Sequence, residues 1–327
     1  MKIFLTGANG FVGSHILDRL RADEHAVTLL LRPTSDTRFI QSHLDHVRVV
    51  RGGLLDTDAL NDALEGVTHV LHCAGATKAV RESGLFTVNQ QGTRALVEAV
   101  NARGGQVKRF VHVSSLAAGR PGTRNDPARE DDPPAPRSAY GRSKLAAEQE
   151  VRARCAVEWT ILRPAAVLGP RDREFLPLFQ AVQRGWAPVF GGGRQELSLV
   201  MVRDVAAMTV AALTAPDVAG GVFNLVGPEV ATTRELVQAI GVALDRAPRL
   251  LPLPWAVLRL VCALQAAWAH LSGIATVLAH GKYRELSAPG WVADGSRLRA
   301  ALGAGPSTPL ADGLRQTAVW YRETGWL

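Results

Sequence analysis

The sequence predicts an α/β protein whose core is a doubly wound parallel sheet with helices on both faces. Two observations carry this prediction. Short β-type runs alternate with helix-period segments through the first half of the chain, and a glycine-rich turn follows the first run. The 327 residues leave room for roughly two domains of about 150 residues each. A smaller, mostly helical domain is therefore expected in the second half.

The six predicted strands of the first half are short runs rich in Val, Leu and Ile, and helical patterns separate most of them. They span residues 2–6, 26–31, 47–50, 67–73, 109–113 and 157–162. Farther along, the pattern predicts a helix at 174–183, a glycine turn at 191–193, and strands at 197–202 and 222–226. This order assigns residues 1–170 plus about 197–226 to a cofactor-binding domain, and 171–196 plus 227–327 to a substrate-binding domain.

Composition limits the class of protein. Apolar residues make up 47% and charged residues 20%, values that exclude collagenous, coiled-coil and wholly disordered chains. The net charge of +7 comes from scattered cations, which allows an anionic ligand but does not indicate a nucleic-acid partner. Three cysteines are too few for a disulfide framework, and His43 and His46 lack a third metal ligand. We expect a cytoplasmic protein with no metal site and no signal peptide before its first glycine turn.

Two further segments are distinctive. Residues 119–138 contain five prolines and no apolar period, so they predict a long loop, which is either a lid over a site or a mobile surface excursion. Residues 255–271 follow helical spacing but are interrupted by polar side chains, so no membrane span is expected. We interpret them as an amphipathic helix that covers a pocket or core, with contact to a membrane surface as the alternative.

The glycine-rich turn has the residues of a phosphate cradle. Gly7, Gly10 and Gly13 follow the first strand with the spacing G-x-x-G-x-x-G, and a helix-compatible segment begins around Phe11 and Val12. Glycines let the backbone approach a pyrophosphate closely, and the helix N-terminus offers free N–H groups to the anion. The order of strand, turn and helix therefore predicts dinucleotide binding.

The end of the second strand predicts which dinucleotide is bound. Arg32 lies nineteen residues past Gly13, where an acidic residue would bind the ribose 2′-hydroxyl of NAD and an arginine would accommodate the 2′-phosphate of NADP. We therefore predict that NADP(H) is favoured over NAD(H). The alternative is that Arg32 is only a solvated charge and that Asp36 meets the ribose.

A tyrosine and a lysine form the strongest catalytic pattern. Tyr140 and Lys144 lie one helical turn apart and face the same way, and Ser115 follows the end of a predicted strand, with Ser114 as the neighbour that could replace it. A free phenol is a poor acid–base group at neutral pH, and a nearby ammonium stabilises its ionised form. We predict that Lys144, together with oxidised nicotinamide, tunes Tyr140 for proton transfer. Ser115 would hold the substrate oxygen.

These motifs together resemble the extended short-chain dehydrogenase/reductase superfamily over nearly the whole chain. The matching segments are TGANGFVGSH, LHCAGAT, NQQGT, VHVSS, YGRSK, ILRPAAVLGPRD and FNLVGP. The resemblance implies a Rossmann domain that binds the cofactor, a small substrate domain, a Ser–Tyr–Lys site and a homodimer formed through the helices near Asn89 and Tyr140. It also implies cofactor contacts, besides those named above, from Leu54, Ala74, Gly75, Asn89, Val113, Tyr140, Lys144, Pro164 and Val167.

Departures from the superfamily patterns narrow the branch. Leu116 and Ala117 stand where sugar-nucleotide dehydratases carry an Asp–Glu pair, and Arg163-Pro164-Ala165-Ala166 replaces the R-Y-F-N of many nucleotide-sugar epimerases. Gly53 replaces the aspartate that the family often places near the adenine. With Arg32, the R-P-x-x-V-x-G-P form is more similar to the dihydroflavonol reductase and 3β-hydroxysteroid dehydrogenase-like branch.

The resemblance therefore implies an NADP(H)-dependent ketone reductase or secondary alcohol dehydrogenase. Its substrate would be a largely apolar carbonyl or alcohol compound without a nucleotide. A nucleotide-sugar epimerase is the alternative. An NADP-binding regulatory protein without catalysis is a second alternative, although such relatives commonly lose the Tyr–Lys pair that is present in this chain.

Overall fold

The computed structural model describes residues 1–276 and 281–327. In chain order, the strands are β1 (Lys2–Thr6), β2 (Ala26–Leu31), β3 (Arg48–Arg51), β4 (His69–His72), β5 (Arg109–Val113), β6 (Glu158–Pro164), β7 (Ala166–Leu168), β8 (Trp186–Phe190), β9 (Glu196–Met201), β10 (Gly221–Leu225), β11 (Val230–Thr232), β12 (Arg249–Leu253) and β13 (Gly290–Trp291).

Helices separate most of these strands, because parallel strands need long crossover connections. In chain order they are α1 (Phe11–Ala22), α2 (Thr57–Ala63), α3 (Glu82–Phe86), α4 (Gly92–Asn101), α5 (Ala139–Arg154), α6 (Leu176–Gln183), α7 (Val202–Ala211), α8 (Thr233–Leu244), α9 (Trp255–Ser272), α10 (Lys282–Leu286), α11 (Ser296–Leu302) and α12 (Leu310–Glu323).

A seven-stranded parallel sheet forms the centre of the fold, in the order β10-β6-β5-β4-β1-β2-β3. The chain runs outward from β1 in one direction to β3, then crosses back to β4 on the other side of β1. This order is the doubly wound arrangement with a switch point between β1 and β4. The predicted α/β fold class is confirmed.

Both faces of the sheet are covered, because successive side chains of each strand point to opposite sides. Leu5 and Leu71 face one core together with Ile16 and Leu17 of α1. Phe4, Val70 and Phe110 face a second core with Leu96 and Val97 of α4. Strands buried on both faces contain nearly continuous apolar runs, which is why the sequence pattern identified them.

Smaller sheets lie beside this one. β9 pairs with β7, β11 and β13, while β12 pairs with β8. The strand predicted at 197–202 is therefore present as β9 but lies outside the seven-stranded sheet, because β7 turns away after β6 and supplies its partner. In contrast, α7 packs on α1 and β10 forms the edge of the large sheet. The proposed division of the chain into two domains stays a prediction.

The proline-rich segment 119–138 is bonded to the second half of the chain. Gly122 N donates to Gly290 O at 3.2 Å, and Ala128 N donates to Val292 O at 2.9 Å. Its backbone is thus held against β13, and a role as a lid stays a prediction. The predicted helix at 255–271 is confirmed as α9. None of the described helices is both long enough and apolar enough to cross a membrane.

Candidate active site

The predicted site residues meet at the carboxyl edge of the central sheet. Gly7 follows β1, Ala74 and Gly75 follow β4, Ser115 lies just beyond β5, and Pro164 ends β6. These strands are neighbours in the sheet, so their ends line one crevice at the switch point. Ligands of open α/β sheets bind at this place.

The turn after β1 is shaped for close approach. Gly7 has φ +76°, and a Cβ there would lie 2.6 Å from Ala74 N, so only glycine fits between β1 and β4. A Cβ on Gly13 would collide with Gly7 O. Gly10 precedes α1, no side chain caps this helix, and its first turn carries no acidic residue. The N–H groups of Phe11 and Val12 therefore remain available, and the residues fit a pyrophosphate.

The end of β2 presents one free cation and one paired acid. Arg32 is exposed, and within residues 1–276 and 281–327 its guanidinium has no hydrogen-bond or ion-pair partner. Asp36 accepts a hydrogen bond from Arg38 N and forms an ion pair with the Arg38 guanidinium at 2.7 Å. These contacts, the backbone bond first, lower the pKa of Asp36. The alternative in which Asp36 meets a ribose would compete with this pairing.

Lys144 is buried beside the end of β5. Its Nζ donates to Val113 O at 2.7 Å, and a Cβ on Gly75 would lie 3.7 Å from the same nitrogen. Burial lowers the pKa of Lys144 to about 8, against the opposing influence of Cys73 and Glu148. A lysine in this setting retains two N–H donors for a ligand.

Tyr140 and Ser115 face each other at the same place. Ser115 precedes a 3₁₀ turn, and its Oγ accepts a hydrogen bond from Ala117 N at 3.2 Å. Burial is the main cause of a raised pKa at Tyr140, Glu174 adds to it, and hydrogen bonding from Ser115 opposes it. The sequence predicted a phenol with a lowered pKa. In the structure the pKa of this phenol is instead raised, because burial disfavours the ionised form.

The neighbouring serine faces a different environment. Ser114 Oγ donates to Glu148 Oε1 at 2.6 Å, and Glu148 pairs with Arg163 at 2.7 Å in an almost fully buried cluster. Ser114 is thus committed to this cluster, whereas Ser115 faces the phenol. The two serines therefore differ in their contacts, and the role of Ser115 as the active hydroxyl stays a prediction.

Asn89 holds the site together from a turn of π-helix at Thr87–Gln91. Its side-chain Nδ2 donates to Ala76 O and to Ser143 Oγ, and its Oδ1 accepts from Ala76 N at 2.7 Å. Both N–H groups are therefore used within the protein. Asn89 ties the segment after β4 to α5, one turn from Tyr140.

The remaining predicted contacts are less directly placed. Leu54 packs against Gly92, where an added Cβ would touch its side chain. Val167 lies in β7 and packs against the core on the α1 side. Pro164 is buried at the end of β6 and pairs with Leu225 of β10, while Val113 pairs with Leu162 of β6. A direct contact of these residues with a cofactor stays a prediction.

Sequence reasoning missed several residues that support the site. Ser138 Oγ accepts from Gly141 N at 3.1 Å, which caps α5, and donates to Glu285 Oε2 of α10 at 2.5 Å. Thr6 Oγ1 accepts from Ala74 N at 3.2 Å. A serine just before a predicted helix is a capping signal, so Ser138 was accessible from sequence, but its bond to Glu285 was not.

The family model described as the NAD-dependent epimerase/dehydratase family matches residues 3–226 of the chain. The chain belongs to this family. Family membership, together with relatives named as enzymes, identifies an NAD(P)-dependent enzyme of the extended short-chain dehydrogenase/reductase type. The more specific likeness to dihydroflavonol reductases and 3β-hydroxysteroid dehydrogenases stays a prediction.

Relatives within this family have different activities. The chain is 33% identical over 325 residues to a ceramide reductase of Caulobacter vibrioides, covering 99% of this chain and 96% of the relative. It is 30% identical to a UDP-glucose 4-epimerase of Vibrio cholerae, over 77% and 79% of the two chains. The structure of a UDP-glucuronic acid 4-epimerase from Bacillus cereus, in complex with UDP-glucuronic acid and NAD, is similar with a TM-score of 0.80 and 25% identity, covering 99% and 100%.

Proposed function

We propose that this family member is an NADP(H)-dependent reductase of ketones, or in reverse a secondary alcohol dehydrogenase. The proposed substrate is largely apolar and carries no nucleotide. The observation that carries the proposal is the meeting of Ser115, Tyr140 and Lys144 beside the glycine turn.

In the proposed reaction, Ser115, Tyr140 and Lys144 have different roles. Ser115 donates a hydrogen bond to the substrate carbonyl oxygen, and Tyr140, held protonated by burial, passes a proton to that oxygen. Lys144 places a positive charge near the phenol, so that the phenolate left after proton transfer is stabilised. When bound, the nicotinamide supplies the hydride.

The preference for NADP(H) rests on Arg32. An exposed guanidinium with no partner among the described residues is ready to receive a phosphate, and charge-assisted bonds of this kind are about twice as strong as neutral ones. Asp36, the residue that would instead favour NAD(H), is already paired with Arg38.

The ceramide reductase relative and the residue at position 166 support the proposed substrate class. A ceramide-type lipid ketone is apolar and has no diphosphate. Ala166 stands where the R-Y-F-N motif of many nucleotide-sugar epimerases has an asparagine that meets the substrate diphosphate, and its methyl side chain cannot form that hydrogen bond. We also propose a homodimer formed through α4 and α5, which light scattering of the purified chain would test.

The direct test follows NADPH absorbance with a panel of ketones that includes ceramide-type, β-keto acyl, steroid and flavonoid compounds. We expect consumption of NADPH with at least one apolar ketone. Tyr140→Phe should abolish turnover and retain NADPH binding. Ser114→Ala serves as the matched control for Ser115→Ala, since only Ser115 faces the phenol. Unchanged turnover in Tyr140→Phe would reject the mechanism.

A nucleotide-sugar epimerase is the second candidate, and the Vibrio cholerae and Bacillus cereus relatives favour it. An epimerase returns the hydride to its own intermediate and consumes no cofactor overall. Conversion of UDP-glucose or UDP-glucuronic acid without a change in NADPH absorbance, together with inactivity on every apolar ketone, would replace the first proposal with this one.

A further inference from the structure

An apolar stripe runs along the solvent side of α9. Its members follow helical spacing of three and four residues and are exposed by 38% to 86%: Val257, Leu260, Leu264, Trp268 and Leu271. At 100° per residue these five positions fall within an arc of about 80°. The opposite face is the one that packs on the protein, through Leu258, Cys262 and Ala269. Five large apolar side chains aligned toward water mark an interaction surface rather than scattered surface residues.

The charged side chains of the sequence segment that contains the stripe are of one sign. From Arg246 to Arg284 the sequence contains no Asp or Glu in 39 residues, although the whole chain has 30 acidic residues. Five cations occur in this stretch, and four of them are exposed and form no ion pair with any residue in the described part of the chain: Arg246, Arg249, Arg259 and Arg284. The fifth, Lys282, pairs with Glu285.

This charge pattern selects among the possible partners. If a second copy of the chain covered the stripe, two basic segments without acidic residues would face each other, and like charges placed together oppose association. An anionic lipid surface instead neutralises the cations while its acyl region accepts the apolar side chains. Trp268 and Leu271 are the kind of residue that enters the boundary between headgroups and acyl chains.

We propose that α9 lies flat on anionic membranes and docks the enzyme there, with its stripe inserted and the arginines of residues 246–284 attracting the anionic surface. A helix in this position does not cross the bilayer.

The docking helix is also connected to the active site. After the short segment that follows it, α10 contacts α9 and places Glu285 against Ser138, which caps the helix bearing Tyr140. The helix that we assign to the membrane is therefore linked, through α10 and Ser138, to the helix that carries Tyr140. This arrangement is suited to a lipid substrate, but the docking proposal does not depend on the proposed reaction.

The test measures flotation of the full chain with vesicles of phosphatidylglycerol and phosphatidylcholine in equal parts, and with phosphatidylcholine alone. We expect binding to the mixed vesicles, much weaker binding to the neutral ones, and release at about 1 M salt, where the Debye length falls to about 3 Å. In Leu264→Gln/Trp268→Gln, the partition coefficient should fall by about tenfold or more per side chain, since burying a leucine-sized side chain is worth at least that factor.

Val319→Gln is the matched control, because it removes a half-exposed apolar residue from another helix, α12. It should bind vesicles like the unchanged chain. Thermal unfolding and NADPH fluorescence verify that each variant is folded, and turnover of a water-soluble ketone separates docking from chemistry. Absence of binding to the mixed vesicles, or equal binding of the double variant, would overturn the proposal. So would a double variant that changes the oligomeric state by light scattering, because a second copy would then cover the stripe.

Discussion

Lys144 allows a quantitative prediction, because it is a cation held almost entirely out of water, at 4% exposure. Replacing it by methionine keeps a long unbranched side chain and removes the charge. Burial lowers the pKa of Lys144 from 10.5 to about 8. Between these two values the unfolded chain holds a proton that the folded chain has released, so the free energy of unfolding rises with pH.

The magnitude follows from the same two values. Their difference corresponds to about 3 kcal/mol at about 1.4 kcal/mol per pH unit. This destabilisation is fully present below about pH 8 and is gone above about pH 10.5. Between about pH 7 and 9.5, linkage predicts that the wild-type chain gains about 2 kcal/mol relative to Lys144→Met.

Urea unfolding of both chains without cofactor, at several pH values across this range, measures that gain. Taking the difference between the two chains removes the contribution of groups common to both. Lys108→Met is the control for Lys144→Met, because it makes the same replacement at a lysine that is exposed. If the difference between wild type and Lys144→Met stays constant with pH, then folding does not lower the pKa of Lys144 and our account of the site is wrong.

Three further substitutions test the cofactor site. Arg32→Glu should weaken NADPH binding by about 10- to 100-fold and spare NADH, as expected for loss of a charge-assisted hydrogen bond, and equal loss for both would contradict the NADP assignment. Gly7→Ala should cost more stability than Gly104→Ala in thermal unfolding, because both have positive φ but only Gly7 is crowded by Ala74. Gly53→Asp should change the free energy of unfolding by no more than about 0.5 kcal/mol, since no atom lies within 4 Å of its added Cβ. The same substitution should tighten cofactor binding. Unchanged or weaker binding in a titration would argue against an adenine at this position.

The central sheet was predictable because its strands are buried on both faces and so appear as continuous apolar runs. Because every buried strand shows this apolar pattern, the pattern does not indicate which sheet a strand joins. Residues 197–202 look like any other buried strand, and only the partner, β7, places β9 outside the central sheet. Strand pairing depends on contacts distant in sequence, and no local pattern records them.

The chemical site was predictable where rare residue types stand at fixed spacing, as Tyr140 and Lys144 do among three tyrosines and five lysines. Its surroundings were not. Ser138 and Glu285 are 147 residues apart in the chain and hydrogen-bonded in the fold. The pairing of Arg163 with Glu148 was likewise not predictable from sequence, because it depends on the packing of β6 against α5.

These surroundings bear on the direction of the proposed reaction, which the sequence alone does not address. Burial together with Glu174 and Glu285 raises the pKa of Tyr140, and both carboxylates come from the second half of the chain. Reduction of a ketone begins with a protonated phenol, and oxidation of an alcohol begins with phenolate. Because a raised pKa also makes the phenol a weaker acid, the charge of Lys144 has to offset part of this burial when the proton is transferred. An apolar substrate that expels the remaining water would favour the protonated form further, because desolvation disfavours the charged form. The residues around Tyr140 therefore stabilise the protonated phenol, which is the form from which reduction of a ketone begins.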